Sequence, residues 1–305
     1  MANDPVRRPL DTTAVISGLA LCVIWGLQQT AIKAAGGDIS PMLQVAIRSG
    51  VSGLLILLAA RWILHERWNS EVKFLDGVLF GLGFVAEFFF VSEGLRFTSA
   101  AHMSVLLYTA PLFAAVGLSI KFPEERLSAG QWLGVFIAFC GVATAFLLPA
   151  ILAGDVAAGD DAWIGDLLGL CSGLSWGMTT VFMRNSTINK AASTQMLFWQ
   201  LAAGFVVLLP TALLTGQTHF ESTLIGWTSL FYQTIIVSFA SYLGWFFLLR
   251  RYLIARLNVL IFLTPIFGVL FGILLLGEEA GWPFAAGSLM VLAGLVLAQR
   301  SPRRR

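Results

Sequence analysis

Three ionisable side chains lie where the sequence is otherwise apolar: Arg48, Glu87 and His102. A charged group in hydrocarbon is costly and marks either function or a dedicated partner. Arg48 and Glu87 each sit about eight residues from the same end of neighbouring apolar runs, which at ~1.5 Å per residue puts both about 12 Å deep. Two readings stand: an ion pair pinning the second run to the third, or a direct role for Glu87 toward a substrate or a proton. His102 lies about one turn inside the fourth run, where an imidazole either hydrogen-bonds at the interface or titrates near neutral pH. At an offset of 154 residues the counterparts of Glu87 and His102 are Ser241 and Arg256, so charge recognition within these runs is asymmetric.

Trp25 and Trp176 fall about halfway along their runs at matching positions, and an indole N–H there needs a partner. Gln28 is nearly one turn from Trp25, and Thr179 and Thr180 follow Trp176 by three and four residues, so each indole has polar neighbours on its own helical face. A cavity wall and ordinary packing are both open for this pair; Tyr108, Trp199, Tyr242 and Trp245 are further candidates for the same wall. An apolar wall with a few polar groups suits an aromatic solute that must bind and then leave. Pro111 and Pro265 are read as mid-helix prolines that kink their helices and act as paired gating points.

No catalytic constellation accompanies these residues. His102 and Glu87 form neither a nucleophile–base set nor a metal cluster by spacing, and Cys22, Cys140 and Cys171 lack zinc-type or CxxC spacing. The chain is therefore read as no enzyme, with no cofactor and no metal. The sequence also lacks a GxxxxGK[ST] loop for ATP phosphates.

A duplication sets the positions of the candidates. Pro111 precedes Glu124-Glu125 by 13 residues, and Pro265 precedes Glu278-Glu279 by the same 13. Each acid pair is followed by two glycines seven apart, Gly134 and Gly141, then Gly287 and Gly294. Trp25-Gly26 returns as Trp176-Gly177 at an offset of 151. Duplication in a chain this apolar points to a transporter with its substrate at the seam between repeats.

At 57% hydrophobic and 12% charged residues, with mean hydropathy +0.82, the composition excludes a soluble globular protein. Ten apolar runs are long enough to span a bilayer, near 14–35, 41–62, 74–95, 99–120, 129–148, 163–183, 194–214, 224–248, 256–276 and 282–299. The expected organisation is a terminal segment 1–13, a first repeat 14–148, an acidic connector 149–162, a second repeat 163–299 and a basic tail 300–305. With both termini in the cytoplasm, 16 of the 19 Lys and Arg residues fall in inner segments; Lys33 and Arg96 fall outside and Arg48 lies within a span. Five spans per repeat is an odd number, so the halves are inverted. Glycines at GxxxG spacing on the third, sixth and ninth spans read as close helix packing, and the Glu-Glu pairs as helix-terminus charges or salt bridges.

Taken together, the Trp-Gly of spans 1 and 6, the repeated prolines and the repeated Glu-Glu pairs resemble the drug/metabolite transporter superfamily in its ten-helix form, built from two EamA-type repeats. The resemblance covers the chain beyond its first dozen residues, and is greatest to bacterial inner-membrane exporters of aromatic amino acids. It implies an all-α integral membrane fold, ten transmembrane helices in two inverted five-helix repeats around a central cavity, and efflux without ATP by alternating access. Other amino acids or drug-like solutes as cargo, and a passive channel, are the alternative readings. Small four-helix multidrug relatives carry a proton-coupling glutamate in their first helix; here no acid stands between Asp11 and Asp38. The implied partners are a small-molecule substrate and membrane lipid, with no nucleic acid and no ATPase subunit, and the oligomeric state is open.

Overall fold

The computed structural model describes residues 11–123, 126–152, 161–252, 261 and 263–298. Lipid offers no partners to peptide groups, so runs of this hydropathy close their hydrogen bonds internally as helices. The helices are α1 (Thr12–Ala34), α2 (Pro41–Leu58), α3 (Phe74–Gly94), α4 (Ala100–Leu107), α5 (Ala110–Lys121) and α6 (Ala129–Leu152) in the first half. The second half holds α7 (Ala162–Asn185), α8 (Ser193–Leu214), α9 (Leu224–Phe231), α10 (Tyr242–Arg251), α11 (Thr264–Leu276) and α12 (Trp282–Ala298). These build ten membrane helices in two five-helix repeats: α4 and α5 share the fourth, while α9 and α10, joined by a π-helical stretch Tyr232–Ser241, share the eighth. Observed limits fall within a few residues of those expected. Glu124-Glu125, Arg256 and the start of the ninth span lie outside the described residues.

Local sequence accounts for the helix ends. The Asp11 carboxylate accepts from Ala14 N at 2.8 Å, Ser99 Oγ from His102 N at 2.9 Å and Thr223 Oγ1 from Gly226 N at 2.9 Å, each capping a helix start. Gly277, at φ 66°, closes α11 in the left-handed conformation that glycine adopts without strain.

The prolines act differently from a mid-helix kink. The fourth span is interrupted at Tyr108–Thr109, and Pro111 lies in the first turn of α5; Pro265 likewise lies in the first turn of α11. Having no N–H, a proline fits that turn, whose N–H groups have no helical partner in any case. The repeated prolines thus begin helical segments at matching positions.

The main helix pairs join one repeat to the other: α1 with α11, α2 with α8, α3 with α7 and α8, α4 and α5 with α7, and α6 with α12. Glycines permit these approaches. On α7, a side chain at Gly173 would meet Thr109 Oγ1 at 2.6 Å and one at Gly177 would meet Ala110 O at 2.7 Å, so this ridge lies along both sides of the α4–α5 break. The repeated glycines of α6 and α12 pair with each other: a Cβ at Gly134 would lie 2.7 Å from Gly294 O, and one at Gly141 would lie 2.6 Å from Gly287 O. Reversed order along the two helices makes this an antiparallel contact.

Loops of the two repeats also meet at both ends of the bundle. Ile39 bridges Phe220, Ser40 N donates to His219 O at 3.1 Å, and Glu221 N donates to Asp38 O at 2.7 Å. At the other end, Trp68 Nε1 donates to Thr194 Oγ1 at 3.0 Å and Lys73 N to Thr187 Oγ1 at 2.9 Å. The first of these is the Glu278 end and the second the Asp11 end.

Candidate functional site

Two aromatic groups face the seam, one built around the repeated tryptophan of each half. The Trp25 ring on α1 lies 6.4 Å from Tyr242 and 5.6 Å from Trp245, edge-on to the latter, and its Nε1 donates to Ser241 Oγ at 2.8 Å. Trp176 on α7 stands edge-on to Tyr108 at 5.5 Å. Tyr108 occupies the break between α4 and α5, 7% exposed, beside Thr264 and Cys22. Gln28 is buried on α1, one turn from Trp25. Trp25, Gln28, Tyr108, Trp176, Tyr242 and Trp245 are therefore gathered around this region from both repeats.

A charged centre lies between the two groups. Arg48 is 0% exposed, with Glu87 and Tyr242 as its electrostatic neighbours, and Glu87, 8% exposed, is in turn a neighbour of Tyr108. Of the two readings of Arg48 and Glu87, the ion pair does not form. The guanidinium carbon lies 4.3 Å from the centre of the Phe88 ring, and Nε and both Nη atoms have no hydrogen-bond partner among the described residues. Phe88, the residue after Glu87 on α3, lies against the guanidinium in its place. The attraction of the cation to the ring face partly offsets burial.

The remaining candidates lie elsewhere. Thr179 Oγ1 donates to Ser175 O at 2.7 Å and abuts Gly83, which puts it at the α3–α7 contact. Thr180 Oγ1 donates to Trp176 O at 3.1 Å, within its own helix. Trp199 lies against Gly77 and stands edge-on to Phe74 at 5.4 Å, near the Asp11 end. His102 Nδ1 is 3.0 Å from Asp166 Oδ1, and its ring stacks on Phe284 at 4.4 Å, tying α4 to α7 and α12.

Several participants carry no sequence signal of their own. Gln44 Nε2 donates to Ile32 O at 3.0 Å and Ile39 O at 2.7 Å, and Gln233 Nε2 donates to Gln44 Oε1 at 2.7 Å, a buried amide relay joining α1, α2 and the π stretch. Ser52 Oγ donates to Thr234 O at 3.0 Å, holding α2 to the same stretch. At the Glu278 end, the Glu278 carboxylate accepts from Ala100 N at 2.7 Å and Ala101 N at 2.9 Å, so an acid of the second repeat caps a helix of the first. Lys33 donates to Thr98 O beside it, and Thr98 donates to Asp166. These contacts join the two repeats at this end of the bundle. A cleft of about 490 Å³ opens there, lined by Lys33, Ser40, Pro41, Arg96, Gln217 and His219 and by none of the predicted site residues. Among the described residues no three His, Cys, Asp or Glu side chains gather to hold a metal.

The arrangement offers aromatic surface, two buried ionisable side chains not bonded to each other, and a span broken at Tyr108–Thr109. Comparison with known proteins bears on its use. The model of the EamA-like transporter family matches residues 12–147 and 163–299, one match per repeat. An uncharacterized transporter, YoaV, of Bacillus subtilis is 24% identical over 289 residues, covering 92% of this chain and 94% of its own. A probable amino-acid metabolite efflux pump of Salmonella typhimurium is 27% identical over 289 residues, covering 92% of each. A solved crystal structure shares the fold at TM-score 0.62 and 17% identity, covering 95% of this chain and 97% of that one.

Proposed function

We propose that this chain, which belongs to the EamA-like transporter family, is a secondary transporter that exports small amphipathic metabolites, aromatic amino acids foremost, across a bacterial inner membrane. The observation that carries this reading is the pair of aromatic groups around Trp25 and Trp176, one per repeat, flanking the charged centre at the seam. Inverted-repeat transporters bind substrate at that place. Similarity to probable amino-acid metabolite efflux pumps of Salmonella typhimurium and Escherichia coli supports export of a small solute.

With the termini in the cytoplasm, as the Lys and Arg distribution asks, the Glu278 end faces outward. A solute then enters from the cytoplasm, stacks between the aromatic groups, and leaves once the Glu278 and Asp166 contacts release. The broken fourth span and the matching start of α11 give the two repeats equivalent points at which to bend, which is the gating role proposed for Pro111 and Pro265. Alternating access follows from exchange of conformations between the inverted halves.

Counterflow in proteoliposomes tests the reading: unlabelled phenylalanine, tryptophan or tyrosine is loaded inside, and entry of labelled amino acid is followed. Saturable exchange by the wild-type chain, lost in Trp25→Ala and Trp176→Ala, is the expected result. Folded wild-type protein that exchanges none of the three rejects the aromatic substrate. Flux without saturation or counterflow identifies a passive channel instead.

A further inference from the structure

Arg48 is a fork of donors that bonds to no acceptor among the described residues. Its five N–H groups lie in one plane, suited to two parallel hydrogen bonds to a carboxylate. The side chain is 0% exposed and its three nitrogens have no hydrogen-bond partner, although Glu87 is near enough to be an electrostatic neighbour. An arginine kept only to fasten α2 to α3 would be expected to engage that carboxylate, since a buried charge is tolerable chiefly when paired and hydrogen-bonded. Here Phe88 takes one face of the guanidinium, 4.3 Å from its carbon, which fixes the plane and leaves the donor edge unused.

One hydroxyl adds to the surplus of donors. Ser238, one turn before Tyr242 on the π stretch that packs against α2, is buried, and its Oγ has no partner among the described residues. A π stretch inside a helix often marks a functional position. Around these donors stand the aromatic groups, and the Glu87 carboxyl group lies on the facing helix.

We infer that Arg48 anchors the carboxylate of the transported solute, which makes the cargo a carboxylate, with Glu87 meeting the ammonium when the cargo is an amino acid. This rests on the reading of the chain as an exporter and narrows its substrate class. Ring contacts with Trp25, Tyr108, Trp176 and Tyr242 then select among carboxylates, while Arg48 excludes amines and neutral solutes that lack the acid group.

Binding to the purified full chain in detergent tests this, with three probes that share a phenyl ring: L-phenylalanine, 3-phenylpropionate, which lacks the amine, and phenethylamine, which lacks the carboxylate. L-Alanine and lactate serve as ring-free carboxylates. Wild type, Arg48→Gln and Arg48→Lys are compared, with a symmetric size-exclusion peak as the folding criterion. Expected are binding of phenylalanine and phenylpropionate by wild type, little binding of phenethylamine, and a loss of roughly 10- to 100-fold for both carboxylates in Arg48→Gln, with Arg48→Lys between. Should Arg48→Gln fail to fold, the probe series on wild type together with Arg48→Lys decides. Phenethylamine binding as tightly as phenylalanine, or a folded Arg48→Gln that binds phenylalanine like wild type, overturns the anchor and leaves the aromatic reading standing. Ring-free carboxylates that bind wild type in place of phenylalanine, and are lost in Arg48→Gln, support the anchor and reject the aromatic reading.

Discussion

The guanidinium of Arg48 stands 4.3 Å from the ring centre of Phe88 and forms no ion pair with Glu87, the residue just before it on the same helix. A pinning salt bridge and an unmatched buried charge predict opposite effects of removing the arginine. Arg48→Met keeps an apolar contact with Phe88 and relieves the desolvated cation, so it should stabilise the fold by about 1–4 kcal/mol. Thermal unfolding in detergent reads this directly. Destabilisation of similar size would show that the charge holds α2 to α3 after all.

Close approach of α6 and α12 depends on glycine at matched places. A β-carbon at Gly141 would stand 2.6 Å from Gly287 O, well inside van der Waals distance. Gly141→Val and Gly287→Val should each lower stability by about 1–3 kcal/mol, and the double variant by less than the sum, because one separation of the helices accommodates both. Unfolding midpoints of the three variants check it; strict additivity would mean that the two sites are independent.

Glu278 caps α4 across the repeat boundary, through Ala100 N and Ala101 N, and in the proposed cycle this contact holds the outer end closed. Glu278→Gln weakens charge-assisted hydrogen bonds and should raise the population opened at that end by roughly tenfold. With Cys22, Cys140 and Cys171 replaced by serine, a cysteine at Ala101, which is buried beside Gly272, reports the opening through its rate of reaction with a water-soluble maleimide. Unchanged labelling would remove Glu278 from the closure.

At Trp25 the ring and the indole N–H are separable. Ser241 Oγ accepts from Trp25 Nε1 at 2.8 Å and itself donates to Val237 O at 2.6 Å, so losing the indole donor leaves the hydroxyl bonded. Trp25→Phe should therefore keep counterflow within about threefold of wild type, a cost under ~1 kcal/mol, whereas Trp25→Ala removes the ring packed on Tyr242 and Trp245 and should abolish it. Equal losses in the two variants would assign the effect to the hydrogen bond.

Much of the architecture is legible because membrane helices announce themselves by length and hydropathy, and because duplication repeats each landmark. Pro111 and Pro265 marked the right positions, although the consequence is a helix start rather than a bend within one. Depth along a span is equally readable, and it placed Arg48 and Glu87 at one level. What depth omits is rotation about the helix axis. That angle put Phe88 rather than Glu87 against the guanidinium, turned Thr179 onto Gly83, and sent Trp199 to Gly77 and Phe74. Partners such as Asp166 for His102, or Gln233 for Gln44, come from the other repeat and share no local pattern with the residues they meet.

Because Gly134 meets Gly294 and Gly141 meets Gly287, a stretch of the chain is docked on its own duplicate, turned end for end. Such a surface is self-complementary: each glycine of one copy faces its sibling's opposite number. Two copies of one repeat, set in opposite orientations, can therefore meet through this helix without any further matching surface.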